Sequence, residues 1–179
     1  MKRAFFCLCA GVFLMLSGCS PSMEAGAPPA ARPITEDAVG YFCSMDLMEH
    51  EGPKGQIFIR GQADPLWFST IRQTLAYTLL PDSPKGLDAI YVTDMGVATD
   101  LRQPGPETWI DARRAYYVAE SRQIGGMGGE DPLPFGTREQ AETFVDTHGG
   151  HIFAYEDIPE DYILHYEARQ AERAAGGPS

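Results

Sequence analysis

Two segments of the chain, 61–73 and 128–140, align without a gap at a constant offset of 67 residues. Their sequences are GQADPLWFSTIRQ and GGEDPLPFGTREQ, and seven of the thirteen positions are identical. Identity of this density at a fixed register indicates two copies of one supersecondary unit, because such units cover their apolar faces by packing on each other. The fold therefore has to be built from two related halves.

Each copy also carries the spacing of a helix start. Thr70 and Gln73 in the first copy, and Thr137 and Gln140 in the second, lie three residues apart. This is the spacing of a capping box, in which the two side chains satisfy backbone N–H groups of the first turn. Apolar residues then recur at helical intervals in both copies. The repeated segment predicts one helix after Thr70 and another after Thr137.

Strand-like segments flank both helices. Alternating or continuous apolar residues occupy four short stretches, 56–60, 88–93, 115–119 and 151–155. The order strand, helix, strand in each copy predicts an α+β fold with a mostly antiparallel sheet. Extra strands could lie near Tyr41 and Trp109, and a C-terminal helix from about residue 160 is expected to pack across the sheet.

The N-terminus has the pattern of an exported lipoprotein. MKR is a basic start, an apolar run follows, and the tetrapeptide LSGC ends at Cys19. The run is too short for a comfortable membrane span and suits a secretory signal. LSGC resembles the bacterial lipobox, which implies cleavage before Cys19 and attachment of the chain to a membrane through lipid on its thiol. Ser20 favours the outer membrane, and two alternatives stay open: the inner membrane, or an ordinary signal peptide.

Composition limits the classes of function. The formal charge of −11 becomes −13 once Lys2 and Arg3 leave with the signal. A chain this acidic, without a basic patch, is a poor binder of nucleic acid. The sequence also contains no nucleophile elbow, phosphate-binding glycine loop, dinucleotide fingerprint or HExxH motif. We therefore predict no catalytic residues.

Cys43 is the one cysteine expected to keep a free thiol. Cys7 and Cys9 lie in the signal peptide, and Cys19 is expected to carry lipid. A single thiol in an exported protein cannot form an internal disulfide. Cys43 is therefore a candidate for a reactive, metal-binding or buried residue.

The segment around this thiol, YFCSMDLMEH at 41–50, is rich in soft ligands. If it is extended, residues two apart point to the same side, which brings Cys43 and Met45 together. A thiolate with a thioether selects Cu(I) over harder divalent ions. His50 could close a three-coordinate site, and Met48 could do so if the segment bends. The alternative is structural, with Cys43 as a small buried residue and Met45 as core filler.

Met127 is a further candidate ligand, with two glycines on each side in GGMGG. Such a glycine-rich stretch suits an exposed, adaptable loop better than a core. The Met127 thioether could reach a metal held mainly by the other repeat, or the loop could be a turn with an incidental methionine. His148, His151 and His165 have no zinc-motif spacing and are weaker candidates.

Several motifs, taken in order, resemble the NosL family. They are the lipobox, C-x-M-x4-H at 43–50, GPKGQ at 52–56, YVTDM at 91–95, WIDA at 109–112, GGMGGEDPLPF at 125–135 and GGH at 149–151. The resemblance covers nearly the whole chain from Tyr41 to about Tyr162. It implies two related ββα-type units similar to part of organomercurial lyase. It also implies Cys43 and Met45 as Cu(I) ligands, with Met127 and His50 as less certain ones.

The resemblance further implies a function. It indicates a lipoprotein on the periplasmic side of the envelope that binds Cu(I) and delivers it for the copper-sulfur site of nitrous oxide reductase, together with the NosDFY ABC-type assembly. Two alternatives stay open: a copper-independent adaptor for that assembly, and a lyase-like enzyme, for which one thiol is too few. The expected organisation is a signal peptide at 1–18, a lipidated flexible tether at 19–39, a first repeat with the copper motif at 40–112, a second repeat at 113–160, and a C-terminal helix with a disordered tail at 161–179.

Overall fold

The computed structural model describes residues 27–99 and 105–165, together with 168, 171 and 175. The predicted signal peptide and the lipidation site Cys19 lie outside the described residues. Within these residues, no helix is both long enough and apolar enough to cross a membrane.

The first sheet has four antiparallel strands in the order β2-β1-β3-β4. In chain order its elements are β1 (Gly55–Ile59), β2 (Leu66–Phe68), the helix α1 (Ile71–Leu79), β3 (Leu87–Thr93) and β4 (Trp109–Asp111). The first strand of this unit lies in the middle of the sheet, with the second strand on one side and the third on the other. The helix connects the two strands that flank the central one.

The second sheet has three antiparallel strands in the order β6-β5-β7. Its elements are β5 (Tyr116–Ala119), β6 (Leu133–Phe135), the helix α2 (Arg138–His148) and β7 (His151–Ala154), and a short helix α3 (Glu160–Leu164) follows. The connectivity is the same as in the first three strands of the other sheet. A mixed α/β fold with antiparallel sheets is thus confirmed, although the strands β2 and β6 inside the repeated segments were not expected.

The two helices begin where the capping pattern places them, but their caps differ. At α2, Thr137 and Gln140 form a complete capping box. At α1, the Thr70 hydroxyl accepts from the Gln73 amide at 3.1 Å. The Gln73 side chain instead accepts a hydrogen bond from the Ser69 hydroxyl at 3.1 Å. In the first copy the Gln73 side chain therefore bonds to Ser69 and does not complete the capping box. This contact belongs to the site described below.

Side chains from both units share one apolar core. Residues of β1, β3 and α1 are buried together with β5 and α3, and the set includes Ile57, Ile71, Ile90, Tyr117 and Tyr162. The Tyr117 hydroxyl donates to the Ala112 carbonyl at 2.7 Å, which satisfies its polar end inside this core. Burial of apolar surface across both sheets fixes the two units against each other.

The folded part begins before Tyr41, so the predicted tether 19–39 is too long at its C-terminal end. Ile34 is only 6% exposed. The Gln56 side chain accepts from the Arg32 amide at 2.8 Å and donates to the Arg32 carbonyl at 3.0 Å. The Tyr91 hydroxyl donates to the Pro29 carbonyl at 2.8 Å. Two buried apolar residues, Ile34 and Ala38, and side-chain bonds to the main chain hold this proline- and alanine-rich stretch.

Candidate metal centre

Cys43 lies in a tight loop that closes on itself. Val39 and Asp46 pair as an isolated antiparallel bridge. Inside that bridge, the Gly40 amide donates to the Met45 carbonyl at 2.9 Å. Only four residues separate Gly40 from Met45, so the chain must reverse direction at Cys43.

The extended geometry considered for Cys43 and Met45 is therefore wrong. The Ser44 amide donates to the Gly40 carbonyl at 2.7 Å, which is a turn contact. Ser44 has a φ of 55°, in the left-handed region that only a few per cent of non-glycine residues adopt. Cys43 and Met45 lie in the same small loop because the chain turns at Ser44. They are not two side chains on the same face of an extended strand.

The Cys43 thiol faces the start of α1. Its Sγ atom is 3.3 Å from the Ser69 hydroxyl, which in turn donates to the Gln73 side chain at 3.1 Å. A Cβ atom on Gly40 would lie 2.5 Å from Sγ, so glycine is needed for the loop to pass under the thiol. Cys43 is half-buried, which leaves part of its thiol accessible.

Met127 occupies the tip of a second loop, between β5 and β6. The Gly125 amide donates to the Gly129 carbonyl at 2.7 Å, and the Gly128 amide donates to the Gly125 carbonyl at 2.9 Å. These two bonds close a compact turn, with the Met127 side chain 39% exposed. Met127 and Gly128 are exposed as predicted, whereas Gly125 is buried and the other two glycines are half-buried.

The Met127 loop rests on main chain from the first unit. A Cβ atom on Gly126 would lie 1.3 Å from the Glu51 carbonyl oxygen, so the two backbones touch with no room for a side chain. The ammonium of the fully buried Lys54 stabilises this main-chain segment, residues 50–52. It donates to the His50 carbonyl at 2.7 Å and to the Gly52 carbonyl at 3.0 Å.

Asp131 ties the same loop to the start of α1. Its buried carboxylate accepts from the Ile71 amide at 3.0 Å and from the Arg72 amide at 2.8 Å. These amides belong to the first turn of the helix and have no partner within the helix itself. A cavity of about 280 Å³ lies beside this contact, with Gln73 and Met127 both in its lining. The Cys43 loop, through Ser69, and the Met127 loop, through Asp131, are thus both attached at the start of α1.

Burial raises the pKa of Asp131 from 3.8 to about 6, and the bonds from the Arg72 and Ile71 amides oppose this shift. A carboxyl with a folded-state pKa above its unfolded value favours folding below about pH 4. That contribution is lost as the pH rises to about 6. A shift of this size corresponds to about 3 kcal/mol in the free energy of unfolding.

We expect Asp131→Asn to remove this dependence on pH. The free energy of unfolding of the unmodified protein should fall relative to that of the variant between about pH 4 and pH 6, and the difference should be constant above pH 7. Urea unfolding of both proteins at several pH values measures it. Parallel profiles across this range would show that the Asp131 carboxyl titrates as it does in the unfolded chain.

His50 is placed differently from the other candidate ligands. It is half-buried, and its ring nitrogen Nε2 has no hydrogen-bond partner among the described residues. An unpartnered buried imidazole nitrogen fits a metal ligand by its chemistry. The structure shows no contact between this ring and the Cys43 thiol, so His50 stays a candidate from the sequence.

The remaining methionine and histidine candidates have other contacts. Met48 is half-buried and packs against the apolar cluster that contains Leu47 and Trp109. His148 stacks on Phe144 with ring centroids 4.3 Å apart. The other two histidines lie beside carboxylates, His151 near Glu120 and His165 near Asp161. Among the described residues, no three His, Cys, Asp or Glu side chains come together as a metal site.

Sequence reasoning missed Ser69, Gln73, Lys54 and Asp131, which build the surroundings of the two loops. The repeat contained a signal for the last of these, because Asp131 aligns with Asp64. The alignment alone was not enough, since the Asp64 side chain is 88% exposed and pairs with a surface arginine. Only the three-dimensional structure separates the two aspartates.

Comparisons with known proteins agree with this fold. The NosL family model matches residues 31–163. A relative from Achromobacter cycloclastes named copper-binding lipoprotein NosL is 39% identical over 163 residues, which is 90% of this chain and 83% of the relative. The crystal structure of the copper chaperone NosL from Shewanella denitrificans superposes with a TM-score of 0.67 at 29% identity, covering 73% of this chain and 97% of that one.

These matches support the class of protein that the fold defines, an α+β domain with two antiparallel sheets. The family model spans well over half of the chain. The chain belongs to the NosL family.

Proposed function

We propose that this protein binds one Cu(I) ion through Cys43, Met45 and Met127 and passes it on to another protein. The observation that carries the proposal is the attachment of both loops to the start of α1. The Cys43 thiol contacts Ser69, whose partner Gln73 lines the same cavity as Met127. Family membership and the copper-binding names of the relatives support the choice of metal.

The ligand chemistry favours the monovalent ion. A thiolate and thioethers are soft donors, and soft donors select Cu(I) among the metals available to a protein. The thiolate is the metal ligand, so binding of Cu(I) displaces the proton of the Cys43 thiol. His50 is a further candidate because its ring nitrogen is buried and unpartnered among the described residues.

The openness of the site favours transfer over storage. Met127 is exposed at a loop tip and Cys43 is half-buried, so a partner's ligands can approach the ion. A closed four-ligand cage holds a metal structurally, whereas an incomplete set allows ligand exchange. We infer that copper is the cargo of this protein and that the protein catalyses no reaction.

We propose nitrous oxide reductase as the destination of this copper, specifically its copper-sulfur site, with the NosDFY ABC-type assembly as the partner. The protein would act on the periplasmic side of the envelope, anchored by lipid on Cys19. The family assignment and the relative named as a lipoprotein support this placement. Ser20 favours the outer membrane.

A copper-independent adaptor is the second candidate. Tyr41 and Phe42 are 51% and 45% exposed beside Cys43, and Val39 is exposed next to them. Exposed aromatic side chains are typical of surfaces that bind other proteins. Such a surface would serve an adaptor as well as a copper donor, so copper dependence has to separate the two functions.

The test is complementation of a denitrifying strain that lacks its own copy of this protein. We expect the Cys43→Ser, Met45→Leu double variant to leave the reductase without its copper-sulfur site, as judged by copper content and activity. The matched control is Met48→Leu, which changes a half-buried methionine of the same segment and should restore the site. Full restoration by the double variant would favour the adaptor.

A further inference from the structure

We propose that Asp131 is a positioning residue that sets where Met127 stands relative to Cys43, an inference that rests on the proposed function. Its carboxylate joins the second unit to the first turn of α1 through the Ile71 and Arg72 amides, at 3.0 and 2.8 Å. Cys43 reaches the same turn through Ser69. Both loops are therefore held in position by contacts with the start of α1.

The loop between Gly125 and Asp131 is short and is closed by its own hydrogen bonds beside this anchor. Its ends are joined by the bond from the Gly125 amide to the Gly129 carbonyl, at 2.7 Å. A Cβ atom on Gly125 would lie 2.7 Å from the Asp131 Cβ, so the loop rests directly on the aspartate. Met127 is carried at the far end of this closed loop.

A second contact reinforces the same attachment. The Arg72 guanidinium donates to the Glu130 carbonyl at 3.1 Å and stacks over the Tyr162 ring at 4.5 Å. The residue before Asp131 is thus bound to the same helical turn. The carboxylate supplies the two acceptors that the Ile71 and Arg72 amides need, because a buried N–H without a partner is destabilising.

The other copy of the repeat shows that this arrangement is specific to Asp131. The aligned residue Asp64 is 88% exposed and pairs with Arg32 at 2.8 Å. It follows a loop with no methionine. Asp64 is therefore a matched control, because it has the same side chain in the aligned sequence but does not bind the helix amides.

The first experiment is a double-mutant cycle on Cu(I) affinity with Asp131→Asn and Met127→Leu. Asparagine keeps one acceptor oxygen and places an N–H donor against the second helix amide. We expect Asp131→Asn to weaken Cu(I) binding by about 10-fold, in line with the effect of outer-shell residues at metal sites. The same change should have no effect in the Met127→Leu background, and Asp64→Asn should have none in either.

The second experiment needs no copper. Amide hydrogen exchange of the metal-free soluble domain should become faster at Ile71, Arg72 and 125–129 in Asp131→Asn, while α2 keeps its protection. If asparagine destabilises the whole domain, Asp131→Ser leaves one hydroxyl oxygen, whose hydrogen can rotate away from the helix amides, and should give the same local pattern.

The outcomes separate this inference from the proposed function. Unchanged exchange at 125–129, or an equal loss of affinity in the presence and absence of Met127, would overturn the positioning role of Asp131. Tight Cu(I) binding that survives Cys43→Ser would instead overturn the proposed copper site. Faster hydrogen exchange at 125–129 in the metal-free protein, together with a loss of Cu(I) affinity that requires Met127, would support the inference.

Discussion

Cys43→Ser is expected to weaken Cu(I) binding by at least about 100-fold, or about 2.8 kcal/mol. The substitution replaces a soft thiolate with a hydroxyl that does not ionise near neutral pH and is a poor ligand for Cu(I). Serine is close in size to cysteine and can keep the contact that Sγ makes with Ser69 at 3.3 Å. The fold should therefore persist, and the loss should be one of ligand chemistry.

An anaerobic titration of the soluble domain with Cu(I) against a competing chelator measures this loss. Met48→Leu is the matched control, because Met48 lies five residues away and packs in the apolar cluster with Leu47 and Trp109. It should bind Cu(I) like the unmodified protein. Equal affinity in Cys43→Ser would mean that the 41–50 segment is core or partner surface, and the adaptor would become the better account.

Gly126→Ala is expected to have the largest effect on stability. The added Cβ atom would lie 1.3 Å from the Glu51 carbonyl oxygen, so the two backbones would have to separate. Overpacking of this kind against main chain should lower the free energy of unfolding by about 3 kcal/mol or more. Separation of the loop from the first unit should also weaken copper binding through Met127.

Urea unfolding measures the stability change, and Gly128→Ala is its control. Gly128 has a φ of +77° with open space around it, so alanine there meets only the left-handed backbone penalty, about 1–2 kcal/mol. Gly126→Ala should be clearly more destabilising than Gly128→Ala. Equal effects would show that 51–52 and the Met127 loop do not pack as tightly as described.

Local patterns in the sequence were enough to predict much of the fold. Capping residues depend on neighbours only three positions away, and both helices begin one residue after the threonines. The four longer strand-like stretches also formed strands. The strands β2 and β6 were missed because each has three residues, too few for a period to be read.

The candidate site was harder to predict because it depends on contacts between distant parts of the chain. Asp131 meets amides about sixty residues away, and Cys43 meets a serine 26 residues away. The turn at Ser44 follows from the bridge between Val39 and Asp46, which no short-range rule indicates. Sequence chemistry selected the thiol and the methionines as candidate ligands, whereas the residues around them became visible only in the structure.

The central claim is that Cys43 and Met127, from two different units, hold the same Cu(I) ion. X-ray absorption at the copper edge of the Cu(I)-loaded soluble domain tests it most directly, because the method counts the sulfur atoms around the metal. We predict a sulfur-dominated shell that loses one sulfur in Met127→Leu and is unchanged in Met48→Leu. A sulfur shell that is identical in Met127→Leu would contradict the claim.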